Sequence, residues 1–269
     1  MGNADAAGTA GQGTHLKVER RGAVLTVGLN RPAKRNALND GIILEIGECF
    51  ANLPDDLGAV VIHGIGDHFS SGLDLSELTE HDATGGVLHS QMWHRVFDRI
   101  QYSRVPVIAA LKGAVIGGGL ELACAAHIRV AEPSAYYALP EGQRGIFVGG
   151  GGSVRLPRLI GVSRMTDMML TGRVYSATEG SAYGFAQYLT EADGALPKAM
   201  ELAERIASNA PLTNFAVLQA LPMIAEANPQ AGLLMESLMA TVAQSDKEAK
   251  RRIRAFLEHK TAKVKPGSK

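Results

Sequence analysis

KGAVIGGGLELACAA, Lys112 to Ala126, is the stretch whose reading decides the fold. The glycines Gly117, Gly118 and Gly119 stand before Leu120 and Glu121, and an Ala-rich run follows. Glycine lets backbone approach a ligand closely and takes dihedrals closed to other residues. Leu-Glu-Leu-Ala-Cys-Ala-Ala forms helix readily. A glycine turn entering a helix leaves N–H groups unpaired at the helix's positive end, where an anion or a developing oxyanion can sit. Glu121 falls in the first turn, so the stretch is expected to combine oxygen-holding donors with a proton-moving carboxylate. The competing reading is that these glycines only let a helix lie close to a strand, and the surrounding residues decide between the two.

Immediately upstream, Val105–Leu111 (VPVIAAL) reads as a buried strand that feeds the stretch. The same arrangement occurs earlier. Ala59–His63 (AVVIH) is a short apolar run, followed by GIGDHFSSGLDLSEL, with Ser70, Ser71, Gly72, Leu73, Asp74 and Leu75 at its turn. If both loops meet, each offers one N–H to a single carbonyl oxygen, which makes an oxyanion hole. Downstream, Ile128–Ala131 and Ala135–Leu139 are predicted strands around a Pro133-Ser134 turn, and Leu139-Pro140-Glu141-Gly142 ends the second with another carboxylate. Folding those strands back on each other would bring Glu141 to Glu121, 20 residues away. Two facing glutamates beside an oxyanion hole can deprotonate a water and return a proton to carbon. Taken singly, each is by default a helix-start or surface carboxylate.

Farther out, Leu16–Glu19 and Ala23–Leu29 read as a hairpin, and Arg31-Pro32-Ala33-Lys34-Arg35-Asn36 as a positively charged loop. Apolar spacing predicts helices over Leu38–Leu53 and Met92–Ile100. Trp93 in the latter reads as a core aromatic. After a second glycine turn at Gly149–Gly152, helices are expected over 154–160, 164–171, 177–183, 196–209, 212–225 and 231–259, with one short strand at Gln187–Leu189. Strands alternating with helices and then helices alone imply layered α/β structure followed by a helical module.

Bulk properties bound the function. Lys+Arg and Asp+Glu balance at 27 each, which argues against nucleic acid and membrane partners. Cys49 and Cys124 are the two cysteines, without metal-ligand spacing or a disulfide framework. The opening MGNADAAGTAGQGTH has neither the basic start nor the apolar run of a secretory signal, so a cytoplasmic protein with a flexible arm is expected. The glycine clusters match neither a P-loop, which ends in Lys-Ser/Thr, nor a clean GxGxxG, so nucleotide phosphate is an unfavoured ligand.

Together, HFSSGLDLSEL, KGAVIGGGLELACAAHIRVAEPSAYYALPEGQRGIF and GGGGSVRLPRLIG resemble the enoyl-CoA hydratase/isomerase (crotonase) family over nearly the whole chain after Leu16. The resemblance implies an α/β fold: a crotonase-like spiral of ββα units over 15–195, after an arm at 1–14, then a helical oligomerisation module over 196–260 and a basic tail at 261–269. It implies an acyl-CoA thioester substrate, no cofactor beyond the CoA of that substrate, no metal, and a homo-oligomer, a hexamer built as a dimer of trimers. Oxyanion donors would be the N–H groups of Leu73 and Gly118. Glu121 and Glu141 would be catalytic, and retention of both favours water addition. Lys34, Arg35, Ala37 and Leu38 match the stretch that wraps CoA, Ser71, Asp74 and Leu75 its other wall, and Pro140 lines the site. Phe256 and Lys260 fall near a segment that reaches CoA in relatives. His127 stands where many members have an acidic residue and reads as a structural partner, and His68 as a turn residue. The wording is most similar to a branch that hydrates 3-(methylthio)acryloyl-CoA, releasing methanethiol in dimethylsulfoniopropionate degradation. An isomerase, an acyl-CoA hydrolase and a non-catalytic acyl-CoA binder are the alternatives.

Overall fold

Strands β1 (Leu16–Arg21) and β2 (Val24–Leu29) form the expected antiparallel hairpin, turning at Gly22. The structure, a computed structural model, describes residues 15–77 and 82–258. The arm at 1–14, the tail at 261–269 and Lys260 lie outside the described residues. Helix α1 (Asp40–Ala51) starts at Asn39, whose side chain accepts the Ile42 N–H. Then come β3 (Ala59–Gly64) and α2 (Ala83–Gln101). Asp82 caps α2 at Gly85, so the helix begins well before the periodic segment at Met92. Next are β4 (Val107–Leu111), β5 (Ala114–Ile116), α3 (Gly118–Ala125), β6 (Ile128–Ala131) and β7 (Tyr136–Ala138). The remainder of the first unit is α4 (Gly152–Ile160), α5 (Val162–Thr171), β8 (Tyr175–Ser176), α6 (Ala177–Tyr183), β9 (Tyr188–Leu189) and α7 (Ala195–Ala207).

The main sheet runs β1-β2-β3-β4-β6-β9, parallel throughout except for the hairpin. Its central strands are buried on both faces, which is why they read as continuous apolar runs. The two-residue alternation of a strand divides them: Val60, Ile62, Val107, Ala109 and Leu111 join one core with α1, α2 and α3. Val61, Ile108, Ala110 and Val130 join a second core, with Ala199, Leu202 and Ala203 of α7. Residues 196–207, assigned from sequence to the helical module, thus form part of the first unit, which ends at Ala207.

Strands β5, β7 and β8 make a separate small sheet. This corrects the fold-back expected of residues 128–139. β6 pairs with β4 and β9, whereas β7 pairs in parallel with β5, so the two strands belong to different sheets. A tight turn, Ala135 N–H to Glu132 O, carries the chain from one to the other. Glu141 still reaches the intended neighbourhood, because β7 lies beside the strand that leads into α3.

The second unit spans Ser208–Lys269. The helix read over 212–225 is present but irregular: α8 (Pro211–Phe215), a π-helical turn at Ala216–Ala220 and α9 (Leu221–Glu226) follow one another without a break. Pro222 is the cause: it donates no N–H, and its ring would strike the carbonyl of Leu218 in a regular helix. Asn228 caps α10 (Pro229–Ser245), and Asp246 caps α11 (Lys247–Leu257). Leu233, Leu234 and Leu238 of α10 are exposed. Among the described residues no helix is long and apolar enough to cross a membrane.

Candidate active site

Loop 65–75 is held in shape by Asn36. This fully buried residue sits at φ 54°, and its amide donates to the carbonyls of Ile65 and His68 at 3.0 and 2.7 Å. The Asn36 carbonyl accepts Ser70 Oγ at 2.8 Å, and Leu38 N–H donates to Gly72 O. Ser70 also bridges to Val115 of β5, which brings this loop against the second one. Gly117 ends β5 at φ 52°, ψ −125°, a region reserved for glycine, and α3 begins at the next residue.

The two loops meet at their glycines. A Cβ added to Gly72 would lie 3.3 Å from Gly118 N, and one added to Gly118 would lie 3.7 Å from Leu73 N. Among the described residues no backbone acceptor takes the Leu73 or the Gly118 N–H. The edge of the Trp93 indole closes this spot on one side, 3.0 Å from the same Gly118 position. Trp93 is a core aromatic as read, 5% exposed, with its Nε1 donating to Asp40 at 3.3 Å. Two donors fixed side by side at the positive end of α3 can hold an oxygen that gains negative charge.

Both glutamates are buried beside them. Glu121 Oε1 accepts the N–H groups of Gly150 and Gly152, at 2.9 and 2.7 Å, at the start of α4. Burial pushes the Glu121 carboxyl up from its ordinary pKa, and those two N–H groups oppose the shift; the Glu141 charge adds to it. Glu141 is also raised by burial. Its Oε1 lies where a Cβ on Gly117 would come within 2.6 Å, and among the described residues its Oε2 has no hydrogen-bond partner. Burial thus raises both carboxyls, and they differ in their partners: two N–H donors oppose the shift at Glu121, whereas Glu141 has an unsatisfied oxygen.

The sequence-selected outer residues also come together. Lys34 Nζ and Arg31 Nη2 both reach Asp74 Oδ2, at 3.1 and 3.0 Å, and Ser71 N–H donates to the Arg35 carbonyl. Hydrogen bonds from Ser76, Lys34 and Arg31 hold the Asp74 carboxyl well below the usual range. Arg35 and Leu75 are exposed, Pro140 is half-buried, and Ala37 and Leu38 are buried. His127 is a structural partner: its Nδ1 accepts the Val107 N–H, and its Nε2 lies 2.9 Å from the Gln101 carbonyl. His68 Nδ1 accepts the Ala114 N–H, fixing the turn. Phe256 is exposed on α11 in the second unit. Burial raises both thiols, Cys49 to about 11 and Cys124 to about 12, which favours the protonated form of each. Sequence reading missed Arg31, Asn36 and the use of Gly150 and Gly152 as holders of Glu121; a buried asparagine and a glycine run give no local sign of partners so distant.

Two loops whose adjacent N–H donors can hold an oxygen, with two buried carboxyls beside them, have the make-up of an enzyme's site. Residues 19–266 match the family described as Enoyl-CoA hydratase/isomerase, and the chain belongs to that family. It is 35% identical over 256 residues to the 2,3-dehydroadipyl-CoA hydratase of Escherichia coli K12, covering 94% of this chain and 99% of that protein. A crystal structure described as a candidate enoyl-CoA hydratase from Rhodopseudomonas palustris CGA009 superposes with a TM-score of 0.91 at 76% identity, covering 96% of this chain and all of that one. The Bacillus anthracis enoyl-CoA hydratase superposes with a TM-score of 0.86 at 30% identity, over 93% of this chain and 99% of its own. The chain is thus an enzyme of the enoyl-CoA hydratase type, with the crotonase fold.

Proposed function

We propose that this protein adds water across the double bond of a short 2-enoyl-CoA thioester, with 3-(methylthio)acryloyl-CoA as the substrate. The observation that carries the reading is the pair of buried glutamates beside the adjacent N–H groups of Leu73 and Gly118. The thioester carbonyl lies between those donors, which polarise it and make the β-carbon electrophilic. Negative charge collects on the oxygen as water adds, and losing one donor costs about 3–4 kcal/mol of transition-state stabilisation. Glu121, cradled by Gly150 and Gly152, takes the proton from water. Glu141 delivers a proton to the α-carbon through Oε2. No step calls for a metal or a redox group.

With the methylthio substrate, the hydroxyl arrives on the carbon that bears sulfur. The hemithioacetal breaks its C–S bond, its hydroxyl proton passes to sulfur, and methanethiol leaves an aldehyde thioester. Attack of a second water on that thioester, with Glu121 again as base, then releases CoA and a free acid. Lys34, Arg35 and Arg31 present positive charge to the CoA phosphates, the backbone of Ala37 and Leu38 lines the adenine, and Ser71, Asp74, Leu75 and Pro140 form the opposite wall. The Trp93 edge beside Gly118 limits the acyl chain to short groups. The exposed leucines of α10 suit burial against further copies, in keeping with a hexamer, and the composition suits the cytoplasm.

The test is a panel of crotonyl-CoA and 3-(methylthio)acryloyl-CoA, with enoyl absorbance, free CoA and methanethiol followed together. Loss of absorbance with methanethiol release is expected. Free CoA released from crotonyl-CoA without loss of the double bond would assign a hydrolase instead, and a shifted double bond an isomerase.

A further inference from the structure

Glu121 owes its position to a run of glycines, and glycines by themselves hold no shape. What fixes them comes from α2 and α4. Ser90 Oγ donates to the Gly149 carbonyl at 2.6 Å. That carbonyl belongs to the same peptide unit as the Gly150 N–H, which donates to Glu121 Oε1 at 2.9 Å. The hydroxyl therefore polarises the peptide that holds the carboxylate. Ser90 Oγ also lies 3.3 Å from His94 Nε2.

The next carbonyl, of Gly150, accepts Arg155 Nη1 at 2.9 Å. Arg155 is 8% exposed, and the rest of its fork is engaged by α2: Nη2 meets Asp98 Oδ1 and Nε meets Gln101 Oε1, each at 2.6 Å. Ser90, Asp98 and Gln101 stand on one face of α2, at offsets of eight and eleven residues. Gly150 is thus pinned from both sides, with its N–H on Glu121 and its C=O on Arg155. A planar guanidinium presents donors in a fixed geometry that lysine cannot reproduce.

We infer that Arg155, braced by Asp98 and Gln101 and assisted by Ser90, is a positioning residue that keeps the Gly150–Gly152 cradle aimed at Glu121 and so sets the rate of proton transfer without touching substrate. The inference rests on the proposed role of Glu121 as the proton-accepting carboxylate. It separates two duties in the fold: residues 34–38 and 71–75 bind the substrate, and this brace governs turnover.

The experiment measures crotonyl-CoA hydration by Arg155→Met, Ser90→Ala and Glu121→Gln, and by the two doubles that combine each of the first two changes with Glu121→Gln. Arg155→Met is expected to lower kcat by about tenfold to a hundredfold, the range for hydrogen bonds to charged groups, with KM within about threefold. Arg155→Lys recovers only part of that rate. In the Glu121→Gln background neither Arg155→Met nor Ser90→Ala lowers the residual rate further, because the group they aim is gone; loss that multiplies in the doubles would mark general structural damage and overturn the inference. Arg155→Met within twofold of wild type would also overturn it. If Arg155→Met does not fold, Ser90→Ala and its double decide the question by the same comparison. A Glu121→Gln enzyme at the wild-type rate would instead refute the role of Glu121 itself.

Discussion

Replacing Gly152 with alanine isolates the geometry of one carboxylate from everything else in the site. Gly152 opens α4 in a conformation that alanine also takes, so the substitution strains no backbone. Alanine is the better helix former by up to about 1 kcal/mol, which offsets only part of the cost of the contact it makes. The added methyl, however, would fall 2.8 Å from both Cγ and Oε1 of Glu121. Non-bonded atoms settle at about 3.5 Å or more, so the carboxylate must retreat by roughly 0.7 Å or more. It then loses or lengthens the bonds from the Gly152 and Gly150 N–H groups, now 2.7 and 2.9 Å. Hydrogen bonds to charged groups contribute about 1.5–3 kcal/mol, which corresponds to a kcat lower by roughly ten- to a hundredfold. A misplacement of about 1 Å at a reacting group costs a similar factor. Initial rates of crotonyl-CoA hydration, with a thermal melt on the same preparation, check both halves. The expected result is a reduced kcat, KM within about threefold and a single cooperative melt at a modestly lower Tm. A kcat within twofold of wild type in the folded variant would refute the claim that this cradle aims Glu121.

Three further outcomes follow from the same site. Burial raises the Glu141 carboxyl, so the folded state binds its proton more tightly than the unfolded chain and loses stability as pH rises above the unfolded value of about 4.3; Glu141→Gln should therefore raise Tm, with a gap that widens with pH from that point, and a flat or reversed gap contradicts it. The Asp74 carboxyl is shifted the other way, so its pairing stabilises the fold above the unfolded value of about 3.9 and fades as pH falls through the lowered one. Asp74→Asn should cost about 1.5–3 kcal/mol in urea melts at pH 7, converging with wild type in acid. Trp93→Leu opens the space beside Gly118 and should raise kcat/KM for an eight-carbon enoyl-CoA relative to crotonyl-CoA by about tenfold or more; an unchanged ratio would remove Trp93 from the acyl pocket.

The parts of the site that could be read from sequence are those whose chemistry is local. An apolar strand, small residues and a helix start, repeated at 59–75 and 105–126, mark both halves of the proposed oxyanion hole, since each half needs only its own loop. Glu121 and Glu141 are identifiable as a pair by residue type, yet the route that unites them is not. Three-residue β5 is too short to register as a strand, and without it the chain between the glutamates reads as a hairpin rather than as strands of two sheets. The turn at Gly149–Gly152 reads as a plain glycine turn because its partner, Glu121, lies 29 to 31 residues away. Arg155 gives no local sign of its use for the same reason: its acceptors at Asp98 and Gln101 are more than 50 residues distant. Likewise, nothing in α7 itself tells a helix that covers a sheet from one that belongs to a helical module; its small residues Ala199 and Ala203 declare their use only against β3 and β4.

The most direct measurement is the hydration of crotonyl-CoA by the wild-type protein and by Glu121→Gln and Glu141→Gln singly, with binding of the CoA ester measured on each. General acid and base groups contribute about a hundredfold to ten-thousandfold each, so both variants should lose at least about a hundredfold in kcat while binding survives. Wild-type turnover in either variant would contradict hydration by two glutamates at a shared oxyanion hole.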